Sequence, residues 1–377
     1  MNGSLRIGSI FHIPILIHWS FLVIIPLFAW IIGTAIVLTT DLISSLYGIP
    51  IDTSVITSGF MPYILGTIVA IGLFIGVLIH ELSHSYYAMK HGIKINSITL
   101  LFFGGISSME EGTPEPNVEL LMAAVGPLAS LAVGLVCIPL VYASQYVISD
   151  PGTEGVFVFI FGYLGLLNIL LFAFNLIPAF PMDGGRVLRA WLARTMPLPR
   201  ATQIAANVGK VFAVIFGIVG IVFLNFILII IALFIYLGAS QESTAVKYSF
   251  LLKDVKVRDI MSGPVMTLPP TMPVREMIQH MYTTKHLGFP VVENGVLIGM
   301  VTLNDVHRVP QLDREAMQVK DIMSRNVIAL PPDAPVMDAL RIMSTRDIGR
   351  VPILDNSQLV GIVTRNDIMK VMELREA

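Results

Sequence analysis

Charge is scarce in this chain: of 377 residues, 13% are Asp, Glu, Lys or Arg, while 55% are hydrophobic. Soluble domains use roughly 25% charged residues, so a soluble globular enzyme and a disordered chain both fit poorly. An excess of positive charge is missing too, with 24 Lys and Arg against 26 Asp and Glu. That leaves no basic surface for nucleic acid, which is not an expected partner. Cysteine is almost absent. Cys137 stands alone, so there is no intramolecular disulfide and no disulfide scaffold, and the redox compartment stays open; inside its apolar run it reads as a small buried hydrophobe.

The charge that is present is placed unevenly. Residues 1–248 hold 9 Lys or Arg and 11 Asp or Glu, and the shorter remainder holds 15 of each. A membrane part followed by a polar tail of about one domain's size follows from this split. Apolar runs near the roughly 20 residues that cross a bilayer lie at 17–40, 61–89, 118–147, 155–178 and 203–240. The first has too long an apolar core for a cleavable signal. The last is too long for one crossing and reads as two, broken near Leu224-Asn225. Lys90, Lys94, Arg186, Arg189, Arg194 and Arg200 fall in two loops, whereas the 41–60 and 148–154 loops carry Asp41, Asp52, Asp150 and Glu154 without Lys or Arg. The positive-inside rule puts the N-terminus, the 90–117 loop and the 179–202 loop in the cytoplasm, with six crossings in all.

The second run ends in His80-Glu81-Leu82-Ser83-His84. On a helix, histidines four apart face the same way, one turn from each other, which suits two imidazoles on one Zn²⁺. Glu81 is then close enough to act on water without being a ligand. Ionisable groups inside a span cost about 2.5–3.5 kcal/mol and are functional by default. The plainer reading, an interfacial belt with Glu81 in water, is the weaker one. Catalytic zinc sites generally use three protein ligands, so a third is needed from another helix. Asp183, in Asn175-Leu-Ile-Pro-Ala-Phe-Pro-Met-Asp183-Gly-Gly, is the best candidate. Two prolines break the helix there, and non-helical backbone at membrane depth is expected where it lines a site. Taken alone the segment is ordinary turn chemistry, but the topology places Asp183 on the same side as the histidines. Glu110, Glu111, Glu115 and Glu119 are more simply solvated, and His91 faces roughly the right way from beyond Lys90.

HELSH in a span and NLIPAFPMDGG after a later one resemble the site-2 protease family of intramembrane zinc metalloproteases. The resemblance implies one zinc on His80, His84 and Asp183, Glu81 as general base, and Asn175 as a polar group near the scissile peptide. It also implies a single-span membrane protein as substrate, its helix locally unwound and its peptide bond hydrolysed by metal-activated water. Leu16-Ile17-His18-Trp19 matches the family's usage before the first span, although an interfacial anchor accounts for Trp19 equally well. Residues 100–110, LLFFGGISSME, correspond to the family's Gly-Gly segment and are too short to span. A strand or re-entrant hairpin there would offer a free edge to an extended substrate. No PDZ-like insertion separates the two motifs.

The tail repeats itself. Asp259-Ile-Met-Ser recurs at Asp321, Leu268-Pro-Pro at Leu330, Gly299 at Gly361, Thr302 at Thr364 and Asp305 at Asp367, each pair 62 residues apart. Each unit reads as a short strand and turn, a helix (273–284, 335–346), two strands and a second helix. This resembles a tandem pair of cystathionine-beta-synthase (CBS) domains. The likeness implies clefts for adenine nucleotide (ATP, ADP or AMP), with Asp305 and Asp367 on ribose hydroxyls and Thr302 and Thr364 near phosphate. Thr-x-x-Asp before a helix is also an ordinary N-cap. Phe289 and Arg350 differ from their counterparts, so the clefts need not be equivalent.

The expected architecture is thus a polytopic α-helical membrane domain of about six transmembrane helices (1–245), a linker (246–254) and an α/β cytosolic tandem CBS-domain module (255–315 and 316–377). Regulation of cleavage by nucleotide and a homodimer through the CBS domains are further expectations. The alternative is a CBS-gated transporter or channel, which predicts ionisable residues spread along several spans; here they cluster around the two motifs. A proteolytically dead scaffold is argued against by the intact candidate ligands.

Overall fold

Apolar helices are interrupted here by a small sheet, and the sheet rests on the helix that carries HELSH. The computed structural model describes residues 3–101, 104–109, 114–311 and 313–376. Glu110 and Glu111, weighed above as alternative ligands, lie outside the described residues. The chain divides into two units, at Thr244/Ala245.

The first unit opens with strands β1 (Ser4–Ile10) and β2 (Ile13–His18). They are joined by Phe11-His12, both with positive φ, the backbone that a two-residue hairpin turn demands. After three helices come β3 (Ile95–Leu101) and β4 (Gly104–Met109), giving a four-stranded sheet in chain order. β2 and β3 pair parallel, Ile15 opposite Ile98, and the two hairpins are antiparallel. The inward residues Ile13, Ile15 and Ile98 pack on Leu78, Leu82 and Met89. Of the segment 100–110, read as a strand or re-entrant hairpin, Leu100 and Leu101 end β3 and 104–109 are β4; β2 takes Ile17 and His18 from the start of the 17–40 run suggested as a first span.

That span is corrected in a second respect. Residues 21–47 form α1 (Phe21–Thr34) and α2 (Ile36–Tyr47), bent by 74° at Ala35. Among the described residues five helices are long and apolar enough to cross a membrane: α3 (Met61–Lys90), α4 (Pro116–Val147), α5 (Pro151–Asn175), α7 (Leu198–Val222) and α8 (Phe226–Leu251), with α6 (Asp183–Leu192) between α5 and α7. The bent pair makes a sixth crossing if taken as one. The break foreseen near Leu224-Asn225 separates α7 from α8, and Leu224 has positive φ there. Residues 246–251, expected as linker, are the last turns of α8.

α5 ends because Pro178 brings no N–H and biases Ile177 away from helix. The chain then folds back tightly, and a side chain at Gly184 would meet the Ile177 carbonyl oxygen at 2.3 Å. α6 starts at Asp183 and is anchored by Arg189, which donates to Glu119 of α4 and to Glu242 of α8 and lies 5.2 Å from the Phe180 ring centroid. The 10-residue helix bearing Asp183 is thereby tied to two spans.

The second unit is built on the repeat. Its elements are α9 (Val257–Ile260), α10 (Val274–Thr284), β5 (Gly288–Glu293), β6 (Val296–Thr302) and α11 (Leu303–His307). They recur as α12 (Val319–Ile322), α13 (Val336–Thr345), β7 (Arg350–Asp355), β8 (Gln358–Thr364) and α14 (Arg365–Glu376). The opening segments are exchanged. Ser262 bridges Ile362 and Ser324 bridges Met300; Val257 packs in the core with Val336 and Val363, Val319 in the core with Val274 and Val301. Asp333 joins the exchange from outside: the Lys256 ammonium donates to it and the Arg258 guanidinium stands beside it, together holding its carboxyl below the usual carboxylate range.

The Arg189 hub generates a stability prediction. The Glu119 side chain is 4% exposed and that of Glu242 32%. Glu119→Ala strands a buried guanidinium and should destabilise the protein by about 3 kcal/mol, read as a lowered Tm in detergent; Glu242→Ala should lower Tm less.

Candidate metal centre

Two turns of one helix and the first residue of another supply the donors. His80 and His84 project from the same face of α3 and are both buried, as the four-residue spacing requires. Asp183 arrives from the N-terminus of α6. Its Oδ2 lies 3.0 Å from His80 Nε2 and 3.1 Å from His84 Nε2, and the two Nε2 atoms are 3.1 Å apart.

The far side of each ring sets the near side. His84 Nδ1–H donates to the Met122 carbonyl at 2.6 Å, which leaves a lone pair on Nε2 in the neutral ring. The Ser130 hydroxyl, 2.9 Å from Nδ1, takes the corresponding position at His80. Both partners belong to α4, and α4 approaches closely because position 126 is glycine: a Cβ there would fall 2.1 Å from His84 Nε2. Three lone-pair donors at such distances repel one another unless a proton or cation lies between them.

The donor set fits zinc. Three ligand atoms, two imidazole nitrogens and one carboxylate oxygen, lie within 4.8 Å of one another. Ligands about 2.0–2.1 Å from a tetrahedral zinc sit about 3.3 Å apart, close to the spacing here, and three protein ligands leave the fourth position open, as catalytic sites do. Histidines held through their second nitrogen are the usual support for such a metal.

Glu81, one residue on from His80 on α3, reaches strand β4. Its Oε2 accepts from the Ser107 hydroxyl of β4 at 2.8 Å. The other candidates are placed as follows. Asn175 ends α5, its Nδ2 donating to the Leu171 carbonyl at 3.0 Å. His91 is exposed and bonded to the Tyr87 carbonyl, Glu115 is the residue before α4, and Glu119 is committed to Arg189. In the second unit Thr302 and Thr364 each donate, through N–H and hydroxyl, to one oxygen of Asp305 and Asp367 respectively. Both motifs are thus N-caps in geometry, using one carboxylate oxygen each. Arg350 donates to the Gly288 carbonyl, its counterpart position in the other repeat.

Ser130, Ser107 and Arg189 were not found from the sequence. Their partners are 50, 26 and 70 residues away, and only polarity within apolar surroundings hinted at Ser130.

The model of peptidase family M50 matches residues 68–153 and 147–216, and that of the CBS domain matches 257–311 and 319–374. A zinc metalloprotease of Methanocaldococcus jannaschii is 35% identical over 376 residues, 100% of this chain and 98% of its own length. A CBS domain-containing protein of Bacillus subtilis is 34% identical over 114 residues, 30% of this chain and 81% of its own. Among solved structures, a site-2 protease from Methanocaldococcus jannaschii is similar at 37% identity and a TM-score of 0.41, covering 64% of this chain and 95% of that one.

The centre predicts its own metal content. Purified protein should hold one zinc per chain by elemental analysis, lost in His80→Ala and Asp183→Ala. Ser130→Ala should retain the fold with zinc affinity lowered about tenfold.

Proposed function

The chain belongs to peptidase family M50, the zinc metalloproteases of site-2 protease type, and carries a tandem CBS pair; from that premise we propose an intramembrane endopeptidase that cuts a peptide bond in or near a substrate's transmembrane helix. The observation that carries this reading is the convergence of His80 and His84, on a helix long and apolar enough to cross a bilayer, with Asp183 at the start of α6. Zinc bound there supplies Lewis acidity, acidifying water and polarising the scissile carbonyl.

The chain's own groups do the rest. Glu81 takes the proton of the attacking water and delivers it to the leaving amine nitrogen. Asn175 holds substrate backbone near the scissile bond. A substrate helix has its carbonyls occupied by its own hydrogen bonds, so it must be unwound locally before attack. An extended segment needs new backbone partners in that setting. The outer edge of β4 offers them: β4 pairs with β3 on one side, and among the described residues no strand pairs with the other. Strand addition at this edge would lay the substrate beside Glu81.

The distribution of Lys and Arg orients the chain with its N-terminus, the 90–117 and 179–202 loops and the CBS pair in the cytoplasm. Water then reaches the centre from that side. The CBS pair takes adenine nucleotide through Thr302, Asp305, Thr364 and Asp367, tunes cleavage through α8, which runs unbroken from the membrane unit into residues 245–251, and joins two chains as a homodimer.

Two experiments test this. A single-span substrate reconstituted with the protein should be cleaved by wild type; Glu81→Gln should lose at least about a hundredfold in rate while keeping its zinc. No cleavage by zinc-loaded wild type of any single-span substrate tried would contradict the proteolytic reading. AMP or ATP should bind the protein by calorimetry, weaken in Asp305→Ala and Asp367→Ala, and change the cleavage rate; equal rates with and without nucleotide would remove the regulatory part.

A further inference from the structure

Strand β4 does more than present an edge. Along it, side chains alternate: Ile106 is 56% exposed, while positions 105 and 107 face α3. At 105 there is no side chain, and a Cβ would fall 2.4 Å from Glu81 Cγ, so strand backbone lies directly against the Glu81 stem. At 107 the hydroxyl donates to Glu81 Oε2 at 2.8 Å, and the Ser85 hydroxyl, buried one turn beyond Glu81 on α3, lies 3.1 Å from it. With the Ser107 proton committed to the carboxylate, Ser85 donates to Ser107, and the three groups form a directed chain ending on Glu81.

We propose that Ser107 is a positioning residue for the general base, so that the strand on which substrate docks also aims Glu81; this rests on the proteolytic reading above. The Gly105 backbone packs against the Glu81 stem and the Ser107 hydroxyl engages one carboxylate oxygen, so the other is the one to take the water's proton. Pairing of a substrate strand with the outer edge of β4 fixes the strand, and the strand fixes the base relative to the peptide it will cut. Catalysis is sensitive to such placement, since an error near 1 Å costs about a hundredfold.

The test uses the full-length protein. Ser107→Ala should lower kcat by about ten- to a hundredfold, with KM and zinc content unchanged, and Ser107→Thr should restore most of the rate. A kcat within about twofold of wild type in Ser107→Ala, or a loss matched by lost zinc, overturns the proposal. A second readout does not need activity. In metal-free protein, the infrared carboxylate band that Glu81→Gln removes should shift in Ser107→Ala, because a hydrogen bond to that carboxylate is gone. An unmoved band overturns the proposal even if the protein is a protease; a shifted band with no cleavage by wild type would instead overturn the reading on which it rests.

Discussion

Two imidazoles and a carboxylate pointing at one another among apolar helices are the constraint around which the first unit is arranged. His80 and His84 bring no charge in their neutral form and Asp183 brings one, and no cation among the described side chains stands with them. Oxygen and nitrogen atoms 3.0–3.1 Å apart need a proton or a cation between them, and they are held in place by what lies behind them. α4 does this for the histidines, through the Met122 carbonyl and Ser130, and can come close enough only where it has no side chain, at Gly126. The broken segment after α5 does it for Asp183, and Arg189 pins the short helix that begins there. A divalent cation turns this arrangement from a cost into a binding energy, which is why the chemistry and the packing cannot be separated.

The same economy of spacing explains how much was legible beforehand. The i, i+4 pair of histidines is a local property of α3 and can be read from five residues. The CBS repeat is legible because every anchor keeps one offset, and the α7/α8 break because a hydrocarbon thickness limits a span. Asp183 needed a topological argument, since its segment alone reads as a turn. Other features escaped for physical reasons. β2 is apolar on consecutive positions, IPILIH, so its last residues, Ile17 and His18, merge with the run of the helix that follows. The bend between α1 and α2 falls at Ala35, with no proline at the break to announce it. Ser130 and Ser107 act across 50 and 26 residues, where only the fold supplies the meeting.

The repeated unit shows the opposite balance, with nearly all of its fold written locally and its asymmetry written in single residues. Each opening segment completes the other half, so neither half has a whole core alone. Within that symmetry, Gly288 faces Arg350 at equivalent positions, and the guanidinium of one repeat bonds the carbonyl of the other. A charge thus stands on one side of the pseudo-twofold with glycine at the equivalent position across it.

The central claim is that two imidazoles of one helix and a carboxylate of another bind a single zinc. X-ray absorption at the zinc edge of the purified protein addresses it directly. The account predicts a first shell of nitrogen and oxygen at about 2.0–2.1 Å, with the outer-shell scattering of two histidines, and a lost protein oxygen ligand in Asp183→Ala. A sulfur ligand, a third histidine, or a spectrum unchanged by Asp183→Ala would contradict it.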